Sequence, residues 1–223
     1  MIPIITIDGP SGAGKGTIAQ AVARKLGWQI LDSGSLYRLT ALASVNEGVS
    51  LDDEAAIENL ARNMDVRFES TDSGLSILLK GENVSDAIRT EEMGMMASKV
   101  AAMQGVRAAL LERQRDFSTA DGLVADGRDM GTTVFPDAPL KVFMTASAEE
   151  RAQRRFKQLK EKGISVNIAA LVEDLKLRDE QDANRKISPL KPADDAVMLD
   201  TTSMTIEQVT QQIFDLVAQR FSI

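Results

Sequence analysis

The 223-residue chain contains neither cysteine nor histidine. Their absence excludes Ser–His–Asp and Cys–His nucleophilic catalysis, zinc sites built from Cys or His, haem ligation by His, and disulfide scaffolds. An enzyme of this composition must rely on carboxylates, arginine, lysine, hydroxyls, backbone amides or a bound hard cation. Phosphoryl transfer is the large class of reaction that needs little else.

Long apolar runs are also missing. No stretch approaches the ~18 consecutive apolar residues of a membrane span. The first ten residues carry no basic region, and their apolar run is too short for a signal peptide. We therefore expect a soluble protein of the cytoplasm that has no membrane partner.

The charge balance limits the partners. The chain has 26 basic and 33 acidic residues, a net charge of −7, which argues against general binding of polymeric nucleic acid. Residues 151–191 nevertheless contain 11 basic and 6 acidic residues. A basic segment on an acidic body favours a small anionic ligand. With 43% hydrophobic and 26% charged residues, the composition is that of an ordinary globular protein and excludes disorder, collagen and coiled coil.

The start of the chain has the pattern of a parallel α/β fold. Residues 2–7 form an apolar run typical of a buried strand, and a glycine-rich loop follows. Ile18, Val22 and Leu26 then recur at helical spacing up to Gly27, and residues 29–31 form a second strand. This strand–loop–helix–strand order predicts an α/β fold, with a parallel sheet and helices on both of its faces.

The rest of the chain alternates in the same way, with one interruption. Short strands near residues 66–70 and 76–79, with turns at 71–74 and 81–83, predict a hairpin-rich insert. A helical stretch with Met93, Met96, Val100 and Met103 follows, whose methionines we interpret as core. Further strands are predicted at 123–126, 140–145 and 196–199, and further helices at 53–62, 106–117, 147–163, 168–184 and from 205 onward.

The strongest local motif is a GxxxxGK loop between the first strand and the first helix. Its glycines allow backbone N–H groups to turn inward around phosphate oxygens, and the helix N-terminus adds unpaired donors. Lys15 is placed to reach the β- and γ-phosphates. The predicted ATP-binding residues of this loop are Gly9, Pro10, Ser11, Gly12, Ala13, Gly14, Lys15, Gly16 and Thr17.

The loop departs from the general pattern at one position. Gly16 stands where a serine or threonine usually ligates Mg²⁺, and Thr17 comes one place later. We therefore expect Mg²⁺ to be held mainly by nucleotide phosphates and water rather than by a direct protein ligand. Asp126, at the end of an apolar strand, is either a Mg²⁺-associated acid acting through water or only a strand-end carboxylate. Because no guanine-reading N/T-K-x-D motif is present, ATP is the expected donor.

Three further blocks carry a resemblance to a known family. They are DSGSLYR at residues 32–38, ADGRDMGT at 125–132 and RDEQDANR at 178–185. Together with the GxxGxGKGT loop and the hairpin insert, they resemble bacterial cytidylate (CMP/dCMP) kinases, a branch of the P-loop nucleoside monophosphate kinases. The resemblance implies a core domain of residues 1–63, 98–146 and 164–223, a monophosphate-binding insert at 64–97 and a lid at 147–163. It also implies a monomer.

The resemblance assigns the acceptor site residue by residue. It implies that Arg38, Arg128 and Arg185 hold the acceptor phosphate, where several guanidinium groups can each offer two donors to one dianion. It implies that Ser98, Arg107 and Asp129 read cytosine. Cytosine presents an amino group that a carboxylate accepts, whereas uracil presents an oxygen that Asp129 would repel. The remaining expected CMP contacts are Ser33, Tyr37, Arg178 and Asp182, the last on the sugar hydroxyls.

The basic lid helix completes the implied site. Closure would bring some of Arg151, Arg154 and Arg155 to the transferring phosphoryl group and exclude water. Arg151 is assigned to ATP binding. The residues assigned to catalysis are Lys15, Arg128, Arg155, Arg178 and Arg185.

The chemistry implied for this site needs no general base. A phosphate monoester has a second pKa of about 6, so the acceptor is already a dianion near neutral pH. In-line alignment and charge neutralisation by Lys15, arginines and Mg²⁺ would then suffice to give CDP or dCDP and ADP.

Other interpretations of the residues remain open. The lid arginines are also compatible with a solvated helix face, and Asp179, Glu180 and Asp182 with ordinary pairs on one helix. A P-loop kinase for UMP, AMP or another small metabolite is the alternative enzyme. A non-catalytic module that responds to ATP is the alternative of another class.

Overall fold

The computed structural model describes residues 2–71, 74–161 and 163–221. They form two compact units, one of Met1–Ile30 with Ser118–Ile223 and one of Leu31–Phe117. The strands of the described residues are β1 (Ile4–Asp8), β2 (Gln29–Asp32), β3 (Val66–Thr71), β4 (Gly74–Leu79), β5 (Glu82–Asn83), β6 (Leu123–Gly127), β7 (Leu140–Thr145) and β8 (Val197–Asp200). The α-helices are α1 (Lys15–Leu26), α2 (Ser33–Asn46), α3 (Glu54–Asn63), α4 (Glu91–Val100), α5 (Gln104–Arg115), α6 (Ala148–Glu161), α7 (Ile168–Ala183) and α8 (Ile206–Phe221).

The parallel sheet has the strand order β2-β6-β1-β7-β8, and β6, β1, β7 and β8 lie in the first unit. β1 pairs in parallel with both β6 and β7, and β7 pairs in parallel with β8. Ile5, Ile7 and Val124 are fully buried, as the near-continuous apolar strands of a parallel sheet require. The predicted α/β fold with a parallel sheet is confirmed.

The register of β1 decides which side chains share an edge of this sheet. Asp8 is opposite Gly127 of β6 and Phe143 of β7. The loop after β1 and the loop after β6 therefore leave the sheet at the same carboxyl edge. In parallel α/β sheets this is the edge where ligands bind.

Local signals place the helices of the first unit as predicted. α1 ends at Gly27, which adopts a left-handed conformation with φ of 69°. The Ser147 hydroxyl accepts the amide of Glu150 at 3.2 Å at the start of α6. Before α8, the Thr205 hydroxyl accepts the Gln208 amide at 3.2 Å and the Gln208 side chain accepts the Thr205 amide at 2.9 Å. α6 and α7 pack against each other.

The second unit combines four helices with the predicted hairpin sheet. β3 pairs antiparallel with β4, and β4 with β5. Asp32 caps α2 by accepting the Ser35 amide at 3.0 Å, and Asp53 caps α3 by accepting the Ala56 amide at 3.0 Å. Within the predicted turn at 71–74, Asp72 and Ser73 lie outside the described residues.

Two sequence predictions for this unit are wrong in detail. The turn predicted at residues 81–83 is formed by Lys80 and Gly81, with φ of 51° and 83°, and does not include Glu82 and Asn83. Glu82 therefore pairs at once with Leu79 in β5. Met103 is not in the helix of the other methionines, since α4 ends at Val100 and Met103 precedes α5.

The division into two units differs from the functional division drawn from the sequence. The unit that contains the hairpins runs from Leu31 to Phe117, a longer segment than the predicted insert at 64–97. The insert and lid boundaries remain predictions, and Lys162 of the predicted lid lies outside the described residues. Within the part of the chain that the structure describes, no helix combines the length and apolarity needed to cross a membrane.

Candidate active site

The glycine-rich loop after β1 has the backbone of a phosphate cradle. Gly9 has a φ of 151°, and a Cβ atom there would lie 2.1 Å from the carbonyl oxygen of Met144. Gly14 precedes α1 in a left-handed conformation with φ of 90°. No other residue type fits at Gly9, and glycine adopts the Gly14 conformation without strain. Backbone N–H groups of such a loop, with the N-terminus of the helix that follows it, can surround a phosphate.

Lys15 is held inside this loop. Its side chain is 7% exposed, and its ammonium group donates to the carbonyl oxygen of Pro10 at 2.9 Å. A carboxylate oxygen of Asp126 lies 3.9 Å from the ammonium. Two independent contacts therefore hold the lysine beside the loop that it must serve.

The surroundings of Gly16 bear on the expected metal. A Cβ atom at Gly16 would lie 3.3 Å from a carboxylate oxygen of Asp126, so this carboxylate lies against the start of α1. Carboxylate oxygen suits Mg²⁺, which keeps several waters when it is bound with a nucleotide. Among the described residues, no group of three or more acidic side chains is arranged to hold a metal. The Asp126 carboxylate at the start of α1 therefore fits a magnesium ion or its bound water, and how the ion is held remains a prediction.

Two arginines of α6 are tied to the cradle. Arg151 is 3% exposed, and its guanidinium donates to the carbonyl oxygen of Ser11 at 2.9 Å and forms an ion pair with Asp179 of α7. Arg154 donates to the carbonyl oxygens of Ala13 at 3.4 Å and Thr201 at 2.7 Å. The sequence did not reveal Asp179 as the partner of Arg151, because the two are far apart in the chain.

Arg155 behaves differently from its two neighbours in α6. It is half-buried, and its guanidinium lies 3.5 Å from the side-chain oxygen of Gln158 on the same helix. Its predicted role at the transferring phosphoryl group remains a prediction.

A second cluster gathers two of the predicted phosphate-binding arginines, Arg128 and Arg185, around one carboxylate. Asp182 is 1% exposed and pairs with both Arg128 and Arg185. Burial alone would raise the pKa of Asp182, but the two guanidinium groups outweigh it and, with Arg178, hold that pKa below its usual range. Arg128, Arg178 and Arg185 thus lie near one buried carboxylate, and the charges of Asp126 and Asp129 also act on Arg128.

Asp129 follows β6 and opens a short π-helical turn, Met130–Val134. It is 4% exposed, and its carbonyl oxygen accepts the amides of Thr133 at 2.8 Å and Val134 at 3.2 Å. The carboxylate of Asp8 accepts the next two amides, those of Met130 at 2.9 Å and Gly131 at 2.8 Å. No sequence motif points to this role of Asp8, and its position directly before the glycine-rich loop is the only local signal.

The second unit contains the other predicted acceptor contacts. Ser33 donates to the side-chain oxygen of Gln114 at 2.6 Å. Arg38 donates to the carbonyl oxygens of Ile88 at 2.6 Å and Thr90 at 3.1 Å. The Ser33 hydroxyl is thereby oriented, and Arg38 bridges to the segment that leads into α4.

Two predicted CMP contacts of this unit, Tyr37 and Arg107, come together. The guanidinium of Arg107 lies 5.6 Å from the centre of the Tyr37 ring, within the range of a cation–π contact. Ser98 donates to the carbonyl oxygen of Gly94 within its own helix at 3.1 Å. Joint binding of one ligand by Ser33, Tyr37, Arg38, Ser98 and Arg107 remains a prediction.

A phosphate-binding loop between a central parallel strand and a helix, with a buried lysine at its end, defines a P-loop nucleotide-binding protein. Comparison with known proteins narrows this class. The family model for cytidylate kinase matches residues 5–219, and the chain belongs to that family.

Individual relatives agree with the family assignment. A cytidylate kinase of Pseudomonas paraeruginosa (strain DSM 24068 / PA7) is 60% identical over 214 residues, which cover 95% of this chain and 93% of that protein. A cytidylate kinase of Stutzerimonas stutzeri (strain A1501) is 58% identical over 221 residues, covering 98% and 96%. The crystal structure of an uncharacterized protein from Eubacterium ventriosum ATCC 27560 covers 99% of this chain and 100% of its own, with a TM-score of 0.56 and 12% identity. At that identity the likeness concerns the fold alone.

Proposed function

We propose that this protein transfers the γ-phosphoryl group of ATP to CMP or dCMP and releases CDP or dCDP and ADP. The observation that carries the proposal is the cradle between β1 and α1 with Lys15 buried in it, in a chain 60% identical to a cytidylate kinase over 95% of its length. The absence of histidine and cysteine is consistent with this reaction, because phosphoryl transfer to an anionic oxygen nucleophile needs neither residue.

ATP is assigned to the cradle. The backbone amides of residues 9–17 bind the β- and γ-phosphates, and the Lys15 ammonium neutralises charge that develops during transfer. Arg151 contributes from α6. Mg²⁺ bound with the nucleotide supplies further charge neutralisation, and Asp126 is the residue that would contact its waters.

The acceptor phosphate is assigned to arginines. Arg128 and Arg185 already lie around one carboxylate, which restricts their side chains before substrate binds. Pre-arranged guanidinium groups lose less conformational entropy when they bind a dianion. Arg38 and Arg178 complete this set, and Asp182 is assigned to the sugar hydroxyls.

The base is assigned to Asp129 with Ser98 and Arg107. The carboxylate of Asp129 accepts from the cytosine amino group and opposes the carbonyl that uracil presents in its place. Arg107 donates to the ring acceptors, and Ser33 and Tyr37 line the nucleotide. These assignments make base choice an electrostatic property of the site.

Phosphoryl transfer requires exclusion of water. We assign this to movement of the lid at 147–163, which would bring Arg155 to the γ-phosphoryl group and suppress hydrolysis of ATP. The working form is assigned as a monomer of the cytoplasm whose partners are its small-molecule substrates, with no polymeric nucleic acid or membrane. Light scattering after size exclusion tests the monomer.

The decisive experiment is an ADP-release assay with ATP and each ribo- and deoxyribonucleoside monophosphate. We expect turnover with CMP and dCMP well above that with UMP or AMP, and CDP or dCDP as the identified product. Faster phosphorylation of another monophosphate would replace the proposed acceptor. Slow ATP turnover without any phosphorylated acceptor would replace the enzyme by a nucleotide-responsive module.

A further inference from the structure

Asp8 is a buried carboxylate at the carboxyl end of the central strand β1. Asp8 is 5% exposed, and each of its two carboxylate oxygens accepts a hydrogen bond from one backbone amide of the loop after β6. The amides belong to Met130 and Gly131, at 2.9 and 2.8 Å. Both carboxylate oxygens of Asp8 thus bind the backbone that directly follows Asp129.

These two amides lie at the start of the short helical turn Met130–Val134. The first N–H groups of a helical turn have no acceptor within the turn and need one from outside. Asp8 supplies both acceptors from a neighbouring strand, while the Asp129 carbonyl oxygen accepts the amides of Thr133 and Val134. The backbone around Asp129 is therefore held on both sides.

Gly131 packs closely against β1, so the two hydrogen bonds to Asp8 depend on how near the loop lies to this strand. A Cβ atom at Gly131 would lie 2.9 Å from the hydroxyl oxygen of Thr6 and 3.4 Å from a carboxylate oxygen of Asp8. A side chain at Gly131 would push the loop away from β1. The absence of one at this position allows the two hydrogen bonds to form.

Holding a carboxylate here has an electrostatic cost. Burial, together with the nearby charge of Asp129 and against the lowering effect of the two amide hydrogen bonds, raises the pKa of Asp8 to about 6. Lys15 offsets part of this cost. Two acidic groups are thus kept near each other in a buried place, where like charges oppose each other strongly.

From these contacts we propose that Asp8 is a positioning residue for the acceptor base: it fixes the loop from which Asp129 contacts cytosine. The inference rests on the proposed function, because it takes Asp129 as the residue that reads the base. Asp8 touches neither substrate and acts through the amides of Met130 and Gly131. Discrimination between CMP and UMP then depends on a residue outside the base pocket.

The test compares variants of the full-length protein. Asp8→Asn keeps one acceptor oxygen but turns an NH₂ group toward the second amide, so one anchoring bond is lost. We expect the KM for CMP to rise about tenfold and the CMP:UMP ratio of kcat/KM to fall at least about threefold, because a charge-assisted hydrogen bond is lost and the loop shifts. The KM for ATP should stay within about twofold.

Gly131→Ala displaces the same loop while leaving Asp8 intact. We expect it to change the CMP:UMP ratio in the same direction as Asp8→Asn. Asp137→Asn is the matched control, since it makes the same chemical change at an exposed residue beyond the turn Met130–Val134. The control should keep both KM values and the CMP:UMP ratio.

Several outcomes would overturn the proposal. One is a folded Asp8→Asn protein with an unchanged CMP:UMP ratio, and another is a rise confined to the KM for ATP, which would place the effect in the cradle. If Asp8→Asn does not fold, Gly131→Ala decides, and loss of folding in both variants assigns Asp8 a purely structural role. Failure of the wild-type protein to phosphorylate CMP would instead remove the proposed function itself.

Discussion

The guanidinium of Arg151 donates to the carbonyl oxygen of Ser11 at 2.9 Å, which joins helix α6 to the phosphate loop. The same guanidinium pairs with Asp179 of α7, so one buried side chain links three segments of the first unit. The orientation of the loop is therefore coupled to helices α6 and α7. This coupling leads to the first prediction.

Asp179→Ala should raise the KM for ATP by about three- to tenfold. Removal of an acidic side chain near bound phosphates would normally strengthen the binding of an anion. Here we expect the opposite, because Asp179 holds the guanidinium of Arg151 in place beside Ser11. Steady-state kinetics at varied ATP measure the effect. Asp174→Ala is the matched control, because Asp174 lies on the same helix and is exposed. Tighter ATP binding by Asp179→Ala would contradict the positioning role of the pair.

Lys15→Ala should lower kcat by at least about 100-fold, because it removes a charge aimed at the transferring phosphoryl group. The melting temperature should change little. Thermal melts and steady-state rates on one preparation separate the two effects. Lys25→Ala on the same helix serves as the control, since the Lys25 ammonium lies 3.9 Å from the Phe214 ring and outside the cradle. A large shift in melting temperature with unchanged kcat would refute the prediction.

Asp129→Ala should relax the preference for cytosine. Without the carboxylate, the amino group of CMP loses an acceptor and the carbonyl of UMP loses an opposing charge, so the CMP:UMP ratio of kcat/KM should fall by about tenfold or more. Asp137→Ala is the control, and it tests whether removal of any acid in this part of the chain lowers the CMP:UMP ratio. Asp137 is exposed and lies beyond the π-helical turn. An unchanged ratio in Asp129→Ala would remove Asp129 from base reading.

The raised pKa of Asp8 predicts a pH dependence of stability. In the folded protein Asp8 holds its proton up to about pH 6, whereas an exposed aspartate loses it near 3.8. Between these pH values the folded state binds more protons, so the contribution of Asp8 to the free energy of unfolding declines as pH rises through the window. Asp8→Asn lacks this contribution.

Urea unfolding of wild-type protein and Asp8→Asn at several pH values measures the difference. The stability of the wild-type protein relative to the variant should fall by on the order of 2 kcal/mol between pH 4 and 6.5. The charges that face Asp8, those of Asp129 and Lys15, are common to both proteins. A difference that is constant with pH would show that Asp8 titrates at its ordinary pKa.

The elements with strong local signals were predictable. Gly27 ends α1, Ser147 opens α6 and Thr205 opens α8, because helix caps depend on residues next to one another in the chain. The turn predicted at residues 81–83 lies one residue earlier, at Lys80 and Gly81, since a non-glycine residue with positive φ has no clear signature in the sequence.

The cradle followed from local sequence as well. Glycine spacing, one lysine and the strand before them specify a loop whose geometry is set by its own backbone, and the structure places Lys15 inside it. The partners of the arginines did not follow. Arg128 meets Asp182 across 54 positions and Arg151 meets Asp179 across 28, and charge patterning along the chain carries no information about such pairs.

The amino-acid sequence alone thus determined the class of chemistry, since a chain without histidine or cysteine but with a glycine-rich loop and a lysine is equipped for phosphate and little else. The tertiary structure decided how the carboxylates are used. Asp8 holds the loop after Asp129, Asp179 orients Arg151 and Asp182 gathers two arginines, because the parallel register and helix packing bring distant segments together. A buried charge requires a partner, and only the folded chain determines which partner it finds.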